Sequence, residues 1–188
     1  MNAFDYLYVL VSIVLGLAIA RVLSGLAAVI TARERVDFYW PPVVWAIWIF
    51  FISVQHWWAQ WGLHSVREWS FLDFWLLMLV PVDLFLLAAV ILPERVESDV
   101  LDLGVWFARN RAWFFAIMFF LPALSIAEEV LRSGHMGSTL NLLFLLAFEV
   151  VIAVAYFLKS RRAQEWICAQ AMVMTVLYVV LLFLDLGS

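Results

Sequence analysis

Apolar residues fill the chain in long uninterrupted runs, and short segments rich in charge, proline or glycine separate one run from the next. Runs of this length predict helices, because a buried strand spans only about four to eight residues and a barrel strand alternates apolar with polar over about ten. The pattern places helices near residues 4–30, 41–62, 71–92, 112–131, 138–158 and 165–186. At about 1.5 Å per residue, roughly 20 residues of helix cross a hydrocarbon core about 30 Å thick, and each run meets that length. The expected fold is therefore all-α: a polytopic integral membrane protein with a single domain over 1–188, a bundle of six transmembrane helices. The first run is too long, and Met1 to Asp5 too poor in basic residues, for a cleavable leader, so it is expected to stay in the mature protein.

Between the runs, Arg33, Arg35, Arg95, Arg109, Arg111, Lys159, Arg161 and Arg162 fall in the first, third and fifth connections, whereas the second and fourth hold Arg67 and Arg132. This bias puts the basic connections in the cytoplasm and both termini outside, in a cell membrane such as a bacterial inner membrane. Trp40, Trp57, Trp58, Trp61, Trp69, Trp113 and Trp166 fall near predicted helix ends, where indole rings prefer the headgroup layer. In the third connection Val100, Leu103 and Phe107 recur at helical spacing, with Asp99 placed to cap and Asp102 in the first turn. That spacing predicts a short amphipathic cytoplasmic helix between spans three and four.

Composition agrees with lipid as the solvent: 67% of the residues are hydrophobic and 14% charged. A net charge of −4 spread over short loops leaves no basic surface for nucleic acid, so no nucleic-acid partner is expected. The lone cysteine, Cys168, lies in an apolar run, so no internal disulfide can form and no metal-thiolate site is expected. H-E-x-x-H, G-x-S-x-G and G-x-x-x-x-G-K-[ST] are all absent, which withholds support from metalloprotease, esterase and nucleotide-driven chemistry; no cofactor is expected, and the sequence leaves enzymatic activity open while favouring none.

What remains to carry function is the set of polar groups kept inside the runs, since each ionisable one costs on the order of 3 kcal/mol in hydrocarbon. Asp83 and Glu149 fall near the midplane, Arg21 and Gln170 in the cytoplasmic half, and Gln55, His56, Glu128, Glu129 and Asn141 toward the outside. Ser53, His56 and Gln60 share one stripe of the second helix; Asn141, Glu149 and Tyr156 line up on the fifth, and Gln170, Met174, Tyr178 and Asp185 on the sixth. Arg21 either meets Asp83 or Glu149 in a buried pair or snorkels to the headgroups. His56 is open to three roles: a hydrogen-bonded core histidine, a proton carrier, or a metal ligand. For Glu128 and Glu129 the competing reading is solvation at the outer interface, and since adjacent positions point about 100° apart, at most one of the pair is expected to face the core. Gly16, Ala20, Ser24 and Ala28 form a small-residue ridge that admits a close neighbour, and the bundle is expected to associate with copies of itself. Pro81 and Pro122 predict kinks in the third and fourth helices.

The function expected from this pattern is passage or sensing of a cation, most simply a proton, along Glu128, His56, Glu149 and Asp83, with Glu129, Arg21, Asn141 and Gln170 beside the path. A second reading is a non-catalytic membrane subunit that docks a membrane-protein partner. A third is a small-ligand or quinone-binding protein, with Trp57, Trp58, Trp61 and Trp75 around an apolar pocket of several hundred cubic ångströms.

Overall fold

The computed structural model describes residues 3–60, 70–96, 100–134 and 137–185. It is nearly all helical: α1 Ala3–Thr31, α2 Trp40–Ala59, α3 Phe71–Ile91, α4 Leu103–Met118, α5 Phe120–Ser133, α6 Thr139–Phe157 and α7 Arg161–Asp185. Only Phe119 separates α4 from α5, and the two form one long segment. Six helical segments among the described residues are thus long and apolar enough to cross a membrane, by length and composition.

Short polar residues start the helices by accepting amide hydrogens that the first turn leaves without partners. Ser70 and Asp73 form a reciprocal capping box at α3, with Ser70 N–H donating to Asp73 Oδ2 at 2.8 Å and Asp73 N–H to Ser70 Oγ at 3.2 Å. Ser138 Oγ accepts from Asn141 N–H at α6, and Ser160 Oγ from Ala163 N–H at α7. Asp102 Oδ1 accepts from Gly104 and Val105 at α4.

That last cap corrects the reading of the third connection. Leu103 and Phe107 do lie on a helix, but the helix begins behind Asp102 and runs on through Met118 as the start of the fourth long segment. No separate amphipathic element stands before it among the described residues, and Asp99, the expected cap, lies outside them, as do Trp61, His64, Trp69 and His135. The connection instead contributes a two-residue strand, β2 (Leu101–Asp102), paired in parallel with β1 (Val36–Asp37). The strand pair ties the first connection to the third, and the Tyr39 hydroxyl, donating to Arg161 O at 3.2 Å, ties the first to the fifth. These three connections therefore share one end of the bundle, and α1 starts and α7 finishes at the other.

Pro81 sits inside α3, which continues through it unbroken, while the fourth segment breaks at Phe119, three residues before Pro122. A proline has no amide to give the carbonyl four residues back and its ring crowds that carbonyl, which accounts for a break at this point.

α3 is the central helix and packs against α1, α2, α4 and α5; α6 and α7 close the bundle against α4, α5 and α2. The core is aromatic. Trp45 is 1% exposed and meets Trp48, Phe114 and Phe115 edge-on, at centroid distances of 5.6, 5.5 and 5.9 Å. Outward faces are apolar too: Val9, Ile13 and Leu17 on α1, Leu143, Leu146 and Val150 on α6, and Val173, Val176 and Leu177 on α7 are all exposed.

The expected ridge of small residues belongs to this outer surface. Gly16, Ala20 and Ser24 are exposed, and a methyl group added at Gly16 would meet nothing within 4 Å. The close approach is made at Gly25, where an added Cβ would stand 2.9 Å from Leu92 Cβ and 3.4 Å from Arg21 Nη1. Gly25→Ala is expected to cost about 1–3 kcal/mol by overpacking. Gly16→Ala is expected to leave stability unchanged or slightly raised. Thermal unfolding of the two variants in one detergent checks the contrast.

Two arginines end helices. Arg21 Nη2 donates to Ala89 O at 3.2 Å and Leu92 O at 2.8 Å, at the end of α3. Arg111 is 6% exposed, and its Nη1 donates to Ala155 O and Tyr156 O in the last turn of α6. Gln164 Nε2 adds donations to Ala155 O and Leu158 O. The final carbonyls of a helix have no partner within it and carry the negative end of its dipole, so a guanidinium satisfies them twice over. Arg111, counted with the loop charges in the sequence, is thus a buried structural cation.

The ring of Tyr39 lies under the Arg161 guanidinium, 4.5 Å from centroid to Cζ. Burial, reinforced by Glu165, pushes its hydroxyl up from 10 to about 12, against the pull of Arg161. The unfolded chain would lose this proton first, so stability falls as pH rises from about 10 to 12 and is unaffected below that window. A phenolate absorbance titration of the protein against Tyr39→Phe is expected to show the missing step near pH 12.

Candidate functional site

At the end where α1 starts and α7 finishes, residues of α2, α5, α6 and α7 line a cavity of about 430 Å³. Its floor, halfway along the bundle, is apolar and includes Trp48, Val80, Leu121 and Phe148. One wall is built from stacked rings that run Trp48, Phe148, Phe144, Tyr178, with successive centroids 5.6, 5.9 and 4.2 Å apart and planes within 22° of parallel. Phe144 and Phe148 stand one turn apart on α6, so the helix itself sets their register. Facing partners on α2 and α7 complete the stack.

The polar groups gather toward the mouth. His56 Nδ1 lies 3.7 Å from Glu128 Oε2, beyond hydrogen-bonding length, and its Nε2 lies 2.8 Å from Gln60 Nε2. If the amide donates there, the ring carries its own proton on Nδ1, turned toward the carboxylate. Tyr178 Oη donates to Asn141 Oδ1 at 2.9 Å, joining α7 to the first turn of α6. Gln55, Ser125, Glu129 and Thr175 also face the space. Between α5 and α6, Gly137 adopts a φ of 77°, and a Cβ there would stand 3.2 Å from Glu129 Cγ and 3.3 Å from Asn141 Nδ2. A glycine is needed for both reasons, the left-handed backbone and the close approach, and it lets those two side chains come together at the mouth.

Of the residues expected along an ion path, His56, Glu128, Glu129 and Asn141 line this cavity, so both adjacent glutamates reach it although at most one was expected to turn inward. Asp83, Glu149, Arg21 and Gln170 are not among its lining residues. Asp83 is 7% exposed on α3, with Oδ2 buried and without a hydrogen-bond partner. Glu149 is half-buried on α6, with Oε2 likewise unsatisfied. Eight residues advance an ideal helix by about 80° beyond whole turns, so Asn141 and Glu149 face different neighbours although they read as one stripe. Arg21 pairs with neither carboxylate: its Nη2 donates to the α3 carbonyls while its Nη1 is buried without a hydrogen-bond partner, and the acidic group whose charge acts on it is Glu94. Gln170 is exposed on the outer face of α7.

The tryptophans expected at a pocket also separate. Trp58 lines the cavity and is 76% exposed at its rim. Trp57 turns to α1, where Nε1 donates to Ser12 Oγ at 3.2 Å and the ring lies 5.8 Å from that of Tyr8. Trp75 packs against Phe71 and Phe74, away from the cavity. The sequence reading passed over Trp48, Phe144, Phe148, Ser125 and Thr175. The available signal was the pairing of aromatic and hydroxyl positions three or four residues apart within apolar runs.

Among the described residues no group of three or more His, Cys, Asp or Glu side chains is arranged to hold a metal ion. No protein-family model, no curated protein and no solved structure matches the chain.

Proposed function

We propose that the protein is embedded in a bilayer by its six long segments and binds a small, mostly apolar molecule in the cavity between α2, α5, α6 and α7. The observation that carries this reading is the cavity itself. Its volume of about 430 Å³ is in the range that encloses organic ligands, roughly 300–1,000 Å³. An apolar floor and ring wall would take the body of the molecule, and the polar mouth would fix its head.

Support for the bilayer comes from the outward faces. Large apolar side chains are exposed on α1, α6 and α7 alike, an arrangement that water would penalise at about 25 cal/mol per Å² and that acyl chains accept. The basic connections gathered at one end support a cytoplasmic location for that end, with the termini and the mouth of the cavity on the other side. An ion path through Glu128, His56, Glu149 and Asp83 has less behind it, since the last two do not line the space that the first two share.

Native mass spectrometry of protein released from a non-ionic detergent tests the reading. The wild type is expected to carry a small-molecule adduct or to take up phenylbutanol saturably. Ser125→Phe, which puts a ring into the cavity, is expected to lose that uptake while keeping its helical circular-dichroism signal. A wild type with neither adduct nor uptake, or a Ser125→Phe variant that binds equally well, contradicts it.

A further inference from the structure

From the outward face of α7 we infer that the protein pairs with a second copy of itself, an inference that rests on the bilayer placement above and is independent of the cavity. Trp166, Gln170, Val173, Leu177 and Val180 follow one another at steps of four, three, four and three residues, and all five are exposed. Such spacing is the seam along which one helix packs on another in a left-handed coil. α7 packs against α6 and α2 through its other side, so the seam faces away from the bundle. Acyl chains suit the valines and the leucine, but they do not suit Gln170. It lies nine residues past Arg161, about 13 Å along the axis and farther than a glutamine side chain reaches toward that end. A carboxamide has two N–H donors and an acceptor oxygen, and those of Gln170 have no hydrogen-bond partner among the described residues. Hydrocarbon offers none either, and leaving them unmet there costs free energy. Gln55, Gln60, Asn110, Asn141 and Gln164, the other carboxamides of the described residues, are all buried or half-buried.

The chemistry of the seam selects a second copy as the neighbour. Copies inserted in one orientation pair about an axis along the membrane normal, so each seam residue meets its own counterpart at the same depth. Gln170 then faces Gln170, and a carboxamide, donor and acceptor at once, satisfies its twin. No charged residue lies between Trp166 and Leu181 to repel the copy. Lipid removes the hydrophobic drive that joins helices in water, so packing and hydrogen bonds across the seam have to supply the association. Val173 and Val180 are stiff side chains that lose little rotamer freedom on packing. The α1 ridge of Gly16, Ala20 and Ser24 is the rival face; it allows a close approach but presents no carboxamide or charge that lipid leaves unmet.

Disulfide scanning and energy transfer in liposomes test the pairing. Val173→Cys, Leu177→Cys and Val180→Cys are each expected to cross-link to their counterparts under copper phenanthroline, whereas Ile13→Cys on α1 and Val150→Cys on α6 are not. The buried Cys168 stays in place, and the wild type sets the background. Energy transfer between donor-labelled and acceptor-labelled protein, followed as added lipid dilutes both in the bilayer, gives the dissociation constant. Gln170→Leu is expected to weaken pairing roughly fivefold to thirtyfold, the range of an interhelical hydrogen bond in lipid. Gly16→Leu is expected to leave it unchanged. The cysteine scan decides even if the Gln170 variant misfolds. Cross-links confined to α1 or α6, pairing by Gln170→Leu as tight as the wild type's, or loss of pairing in Gly16→Leu each overturns the inference. A wild type that floats with the vesicles yet stays monomeric at every dilution overturns it alone. Protein that does not float with the vesicles overturns the bilayer placement along with it.

Discussion

Arg111→Met will destabilise the protein by about 3 kcal/mol, because two hydrogen bonds from a charged donor, each about 1.5–3 kcal/mol, are lost at a buried helix end. The donors reach Ala155 O and Tyr156 O, the carbonyls that the last turn of α6 cannot satisfy from its own amides. Methionine fills a similar volume, so the loss reports the hydrogen bonds and the charge at the dipole rather than a cavity. Gln164 donates to the same Ala155 oxygen and retains one of the contacts, so Arg111→Met and Gln164→Ala will combine non-additively. Arg109, two residues away on the same helix and exposed, is the control: Arg109→Met will change stability by no more than about 0.5 kcal/mol. Denaturant or thermal unfolding in one detergent measures the four variants against the wild type. Equal effects at 109 and 111 would show that α6 closes without its cation.

Trp45→Ala will cost about 3–5 kcal/mol, the range for emptying the site of a fully buried aromatic side chain. Trp45 is the ring on which α2 meets α4, edge-on to Phe114 and Phe115, and alanine would leave all of those edges facing a void. Trp45→Phe will cost much less. Its indole N–H is buried with no hydrogen-bond partner, so removing it forfeits no bond and relieves an unsatisfied donor. The contrast between alanine and phenylalanine separates ring contacts from the polar atom; comparable losses in the two would mean that the indole's full shape, rather than any aromatic ring, is what this interface requires.

The architecture was readable because lipid-scale helices leave long apolar runs, and five of the six expected spans match the observed helices within a few residues at each end. The fourth did not. Its true start at Leu103 was hidden by Arg109, Asn110 and Arg111, which look like a loop in a hydropathy reading. Arg111 can be buried there because backbone carbonyls accept its charge, and every helix end has such carbonyls, so the sequence does not mark which end an arginine serves. The same reason explains Arg21, whose expected carboxylate partners proved to be carbonyls of α3. At the cavity, the stripe of His56 and Gln60 was legible from spacing alone, and Asn141 from its place in the first turn of α6. The ring wall was not, because Phe144 and Phe148 in a run of apolar residues look like any other core positions until Trp48 and Tyr178 from two other helices are set beside them.

Photoaffinity labelling with a small neutral phenyl diazirine, followed by peptide mapping, tests directly whether the space between α2, α5, α6 and α7 takes up a ligand. The account predicts saturable labelling concentrated on 52–60, 121–129 and 141–148, competed by phenylbutanol and absent from Ser125→Phe. Labelling that does not saturate and spreads over the outward faces of α1 and α7, unchanged by Ser125→Phe, would contradict it.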